Sequence, residues 1–107
     1  MMRAVIAGSD EDGLGRALES EGVELTTIGG VASRPALEDA AITDADLFVL
    51  MDVGQATAIA VAKDLNPEVR VVVYDENSIP EFARSQADLI LDPDLLGVET
   101  VAEELAV

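Results

Sequence analysis

The chain contains no cysteine, no histidine and no tryptophan, and only one lysine, Lys63. Without cysteine and histidine there are no disulfides, thiolate nucleophiles, imidazole bases or the usual zinc ligands. Aromatic residues are nearly as scarce: Phe48, Tyr74 and Phe82 are the only ones, so the apolar half of the sequence is almost wholly aliphatic. No apolar run approaches the ~18 residues of a membrane span. The N-terminus enters a strand directly at Arg3–Ala7, with no charged-then-apolar leader. These features lead to the expectation of a cytoplasmic chain that does not engage the membrane.

What is abundant is acid. Twenty-two Asp and Glu stand against six Lys and Arg, a net charge of −16. Nucleic-acid binding is not expected, because no basic stripe exists to neutralise phosphates. The acids are spread over every turn and helix instead of forming a tail. In this the chain resembles the proteins of salt-loving archaea, which work where a Debye length of roughly 3 Å stops like charges repelling. The aliphatic content suits a real core, and 107 residues suit one domain spanning 1–107.

Five short aliphatic runs alternate with five helical stretches. The predicted strands are Arg3–Ala7, Val23–Ile28, Asp46–Met51, Val69–Tyr74 and Ala87–Leu91. The unbroken apolar run of the third suits a central position buried on both faces. Between them, Gly13–Glu21 carries Leu14 and Leu18 on one helical face. Ser33 offers an N-cap with Pro35 in the first turn, for a helix to about Ala40. Gly54–Leu65 is an alanine-rich helix stopped by Asn66-Pro67. Ser78-Ile-Pro-Glu81 matches a capping box. Pro93 is expected to start the last helix, carrying Leu95, Leu96, Val101 and Leu105. Strict alternation predicts a three-layer α/β fold, Rossmann-like or flavodoxin-like, with five parallel strands in the order 2-1-3-4-5.

In such sheets ligands bind beyond the carboxyl ends of the strands. The rim so defined holds Gly8, Ser9, Asp10 and Gly13 after the first strand, Gly29 and Gly30 after the second, Asp52 after the third and Asp75 after the fourth. Asp92 follows the fifth. The turn Gly8-Ser-Asp-Glu-Asp-Gly13 has the outer spacing of the dinucleotide fingerprint, with Asp10 in place of the middle glycine. Two readings stand side by side. Either backbone amides between Gly8 and Gly13 take a phosphate, or Gly8 makes the turn and one of the acids caps the first helix. Arg34 either reaches an anionic ligand near Gly29-Gly30 or faces solvent, and Tyr74 reads as a packing residue. Nothing pairs with Asp52 or Asp75 to make a general base, so no catalytic residue is assigned. The acids offer the hard oxygen ligands that Mg²⁺ or Ca²⁺ take, but acids abound everywhere here and no metal is assigned. Free edge strands and the apolar face of the last helix are compatible with a homodimer.

Two family resemblances bear on function. The runs Leu37–Leu50, Ala60–Leu65, Val71–Asn77 and Gln86–Leu96, with Ala4–Gly13, resemble the nucleotide-binding domain of potassium-uptake regulators (the TrkA-N, or RCK, family). That resemblance implies a regulatory domain binding NAD or an adenine nucleotide at the rim residues above, alongside a transport or metabolic protein partner. The family's second strand and its helix have no counterpart, so no residue inherits the acid that holds the adenosine ribose. Asp10 or Asp12, Asp52, and Ala87-Asp-Leu-Ile-Leu-Asp-Pro93 resemble instead a phospho-receiver domain, with Asp92 where the receiver lysine belongs. This second resemblance implies a non-catalytic protein-interaction module, pseudo-receiver-like or a vestigial Rossmann scaffold.

Overall fold

Three of the five aliphatic runs are buried along nearly their whole length, and they form the centre of the sheet. The computed structural model describes residues 1–107. Strand β1 (Arg3–Ala7), β3 (Leu47–Leu50) and β4 (Arg70–Tyr74) are buried except for Arg3 and Arg70. Strands β2 (Glu24–Ile28) and β5 (Leu89–Leu91) flank them and are largely exposed or half-buried. All pairs are parallel and the order is β2-β1-β3-β4-β5, as the alternation predicts.

Helices cover both faces. On one, Leu37 of α2 (Arg34–Asp39), Ala58, Ile59 and Ala62 of α3 (Thr57–Leu65) and Ala83 of α4 (Glu81–Arg84) pack over Val5, Phe48, Val71 and Val73. On the other, Leu14 and Leu18 of α1 (Leu14–Ser20) and Val101, Ala102 and Leu105 of α5 (Val98–Leu105) pack over Ala4, Ile6, Val49 and Val72. The alternate side chains of each strand divide between these two cores. No charged side chain is buried and no buried polar side-chain atom lacks a partner.

At the amino ends of the strands a repeated tripeptide extends two of the strand pairings. Ala45-Asp46-Leu47 and Ala87-Asp88-Leu89 lead into β3 and β5. Asp46 donates its amide to the Arg3 carbonyl and accepts the Arg3 amide on its carboxylate, both at 2.8 Å. Asp88 does the same to Val71, at 2.9 and 2.8 Å. Each carboxylate thus adds one rung to the ladder before the strand begins. Lys63 clamps the second junction, donating to Asp88 Oδ2 at 2.8 Å and the Val69 carbonyl at 2.9 Å. Asn66, the residue that ends α3, donates to the Ile42 and Ala45 carbonyls at 2.9 and 3.0 Å. These bonds tie a short 3-10 turn, Ile42–Asp44, to the entry of β4.

Two expected helix starts differ. The Ser78 capping box does not form: α4 begins only after Pro80, which is extended at ψ 146°, and has no side-chain cap. Ile79 instead turns into the core. The last helix starts at Val98 and not at Pro93, because Gly97 is extended (φ −69°, ψ 156°) and interrupts the run. Asp92 to Leu96 form a separate turn, in which the Leu95 and Leu96 amides donate to the Asp92 carbonyl at 3.0 Å. Leu95 and Leu96 therefore leave the helical face expected for them and are 80% and 37% exposed.

Candidate functional site

The carboxyl ends of the strands form the rim that sequence reasoning marks out, and its residues divide into separate groups. Gly8, Ser9, Gly29, Gly30 and Asp52 line one wide, open cleft together with Gln55. Gln55 Oε1 accepts the Ala32 amide at 2.7 Å and so holds the loop after β2. Ser9, Asp10 and Asp75 line a second cavity of about 140 Å³ beside Glu11, Asp12, Tyr74 and Asp94. Gly13 belongs to neither and faces the groove between α1 and α5. No lysine or arginine lines either rim cavity.

The first turn is shaped around Asp10. Gly13 has φ +81°, a left-handed conformation that lets the chain enter α1 sharply. The Asp10 carboxylate then accepts the Leu14 amide on one oxygen and the Gly15 amide on the other, each at 2.8 Å. A carboxylate at the start of a helix satisfies orphan donors and opposes the positive end of its dipole. At the start of α1 the chain thus supplies its own anion. At Gly8 (φ +103°) a Cβ would lie 3.0 Å from the backbone of Met51 and Asp52. The ends of β1 and β3 thus close on one another at the point where strand order reverses.

The other rim acids are also engaged by main chain. Asp52 Oδ1 accepts the Gly54 amide at 2.9 Å, starting a 3-10 turn at Val53–Gln55. Asp75 accepts the Val53 amide at 2.9 Å and the Asn77 amide at 3.0 Å, bridging the ends of β3 and β4. Asp92 Oδ1 accepts the Asp94 amide at 2.9 Å. Among the residue types that bind metals, no group of three converges on one point. Arg34 is drawn away from the glycine pair to Asp64 of α3 at 2.7 Å.

Tyr74 does more than pack. Its hydroxyl donates to the Leu96 carbonyl at 2.8 Å and ties the end of β4 to the turn after β5. Burial, and then the charges of Asp12, Asp10 and Asp92, push its phenol above the ordinary value. It is the only tyrosine and there is no tryptophan, so its ionisation is read directly by tyrosinate absorbance. The titration midpoint is expected above ~10 in the folded domain and near ~10 in denaturant. A raised pKa means that the folded state holds its proton longer, so this stability is lost as pH rises above ~10. Coincident folded and denatured titrations would contradict the placement of Tyr74.

The sheet order and layering give a flavodoxin-like α/β fold of the kind seen in receiver domains. An orphan response regulator of H. pylori superposes with TM-score 0.75 at 17% identity, over 97% of this chain and 92% of its own. An atypical orphan response regulator, described by a phosphorylation-independent regulatory mechanism, gives 0.71 at 19% identity over 96% and 91%. A CheY-like TadZ protein from Pseudomonas aeruginosa gives 0.65 at 17% over 99% and 94%. Residues 4–105 match the Family of unknown function DUF7126, and the chain belongs to it. No curated protein matches the sequence.

These findings overturn the resemblance to potassium-uptake regulators and, with it, the expectation of a nucleotide-binding regulatory module of that family. Several solved structures of like fold are described as response regulators or CheY-like, and the family model that matches is DUF7126. The five strands form one parallel sheet in the order β2-β1-β3-β4-β5, as in those structures. On the question of membranes, no helix is long and apolar enough to cross one.

Proposed function

We propose that this domain is a receiver-like module that acts by binding another protein and carries out no phosphoryl transfer. The observation that carries this reading is the absence of any cationic side chain around the rim cavities. A phosphoryl group in transfer spreads negative charge over three oxygens and needs Lys, Arg or a metal ion aimed at it. Asp92 stands where a receiver lysine would be, and Asp10 spends both carboxylate oxygens on capping α1. The atypical orphan regulator of like fold supports the reading, since its mechanism is described as phosphorylation-independent.

Acetyl phosphate with Mg²⁺ tests it. Intact-mass measurement should find no phosphoryl adduct after prolonged incubation, and amide NMR resonances at Asp52 and Asp75 should stay in place. A stable adduct on Asp52 would overturn the proposal.

A further inference from the structure

The sheet has two open edges, and they are guarded differently. β5 is three residues long and stands between Asp88 and the acids Asp92 and Asp94, so length and charge both blunt it. β2 has five residues, all in register with β1, and its outer side has no neighbour. The Glu24 amide donates to the Met2 carbonyl at 2.9 Å. Alternation therefore turns the main-chain groups of Glu24, Thr26 and Ile28 towards β1 and those of Leu25 and Thr27 outward. The side chains of Thr26 and Thr27 are both exposed. The one carboxylate of this strand, Glu24, has the Arg3 guanidinium beside it at 3.9 Å. From Leu25 to Ser33 no residue is charged, in a chain whose net charge is −16.

We propose that β2 pairs antiparallel with β2 of a second copy of this chain, about a two-fold axis at Thr26, so that the two sheets become one. The outward groups set the register. Leu25 of each copy faces Thr27 of the other, and each such pair exchanges two main-chain hydrogen bonds. Thr26 then faces its counterpart across the axis, a cross-strand pairing that threonines favour. Charge selects both the occupant and the direction. A basic protein would be drawn to the acids elsewhere on the surface, whereas a like-charged copy meets least repulsion along an edge without them. In the antiparallel register Glu24 lies opposite Ile28 and Glu21 opposite Val31, which is uncharged and 75% exposed. Parallel pairing would set Glu24 against Glu24. The two-fold contact uses the same strand on both sides, so it closes with two copies and leads to no filament.

Sedimentation equilibrium at about 2 M KCl and up to about 1 mM chain should show a reversible dimer, weak because the contact is small. Thr27→Pro removes an outward N–H and leaves the bonds to β1 intact. It should weaken dimerisation by about tenfold or more with unchanged circular dichroism. Independently, Thr26→Glu sets two carboxylates against one another on the axis and should weaken it as much. Cross-linking reads the register, because the chain has no cysteine of its own. Under mild oxidation Thr26→Cys should give a disulfide-linked dimer, since opposed Cα atoms about 4.5 Å apart suit that bond. Thr100→Cys, on the exposed side of α5, should not. A chain that stays monomeric throughout, or a dimer indifferent to both strand variants, would overturn the proposal. So would Thr100→Cys linking as fast as Thr26→Cys. Phosphoryl transfer is judged separately, by the acetyl phosphate experiment.

Discussion

Transfer from about 1 M to about 0.01 M salt unfolds the domain, because the Debye length grows from roughly 3 Å to roughly 30 Å. The folded chain confines a net charge of −16 within a radius of gyration of 12.2 Å. Only four ion pairs offset it locally: Arg3–Glu24, Arg34–Asp64, Lys63–Asp88 and Glu81–Arg84. Treating folded and unfolded chains as charged spheres of their respective sizes, the loss of screening disfavours the folded state by on the order of 10 kcal/mol. That matches the whole stability of an ordinary domain, ~5–15 kcal/mol. Far-ultraviolet circular dichroism across a KCl series should show helix and strand signal collapsing at low salt and returning on readdition. A spectrum unchanged at ~0.05 M would show that the acids are better compensated than their spacing implies.

Replacing Asp88 with alanine is expected to cost about 2 kcal/mol, more than any other single surface carboxylate. The charge pair is the smaller part. Lys63 and Asp88 side chains are 25% and 44% exposed, which limits a solvent-screened pair to under ~1 kcal/mol. The larger part is the Val71 amide, which loses its acceptor at the point where β5 joins the sheet. Asp88→Asn retains an acceptor and should recover more than half of the loss, which a role through charge alone would not allow. A Lys63→Met, Asp88→Ala cycle in urea should show coupling below ~1 kcal/mol. Burial works against the ionised Asp88, but the hydrogen bond from Lys63, the Val71 amide and the charges of Lys63 and Arg70 outweigh it and lower its pKa. A lowered folded pKa gives stability that is present above the unfolded value of ~3.9 and lost as pH falls through the folded one. Asp88→Asn should therefore flatten the acid limb of stability below about pH 4.

The architecture is readable from the chain because its strongest signals agree. The aliphatic run around Phe48 suits a strand buried on both faces, and β3 is buried throughout. Ser33 with Pro35 opens α2 as expected, its hydroxyl accepting the Ala36 amide at 3.3 Å, and Asn66-Pro67 ends α3. The failures lie where local cues tie. Asp92-Pro93 is as good a helix start as Gly97-Val98, and only the extended Gly97 decides between them. Ser78 satisfies a capping pattern that Pro80 and the burial of Ile79 override. At the rim, three consecutive acids offer three candidate caps. Which one bends back depends on Gly13 entering the left-handed region, a backbone choice that residue types alone do not dictate.

Function is less legible for a related physical reason. The runs that resemble potassium regulators are β-strand entries and helix faces, which any doubly wound sheet requires. The tripeptide before β3 and β5 belongs to that set: it aligns strands and is indifferent to ligand. The feature that bears on function is the charge of the rim, where no lysine or arginine lines either cavity. Its meaning emerges only when the rim is assembled in space. Leu95 and Leu96 show the converse, since a helical reading hides them in the core and the observed turn turns them outward.

Because Asp46 and Asp88 lock the strands together at one end of the sheet, the loops at the opposite end are relieved of keeping the scaffold in register. Sequence can drift there where main chain does not bridge the strands, as Asp75 does between β3 and β4. A foreign recognition loop inserted at Gly29-Gly30, where an added side chain meets nothing within 4 Å, would inherit a rigid mount, and the domain is in that sense a chassis with a replaceable attachment.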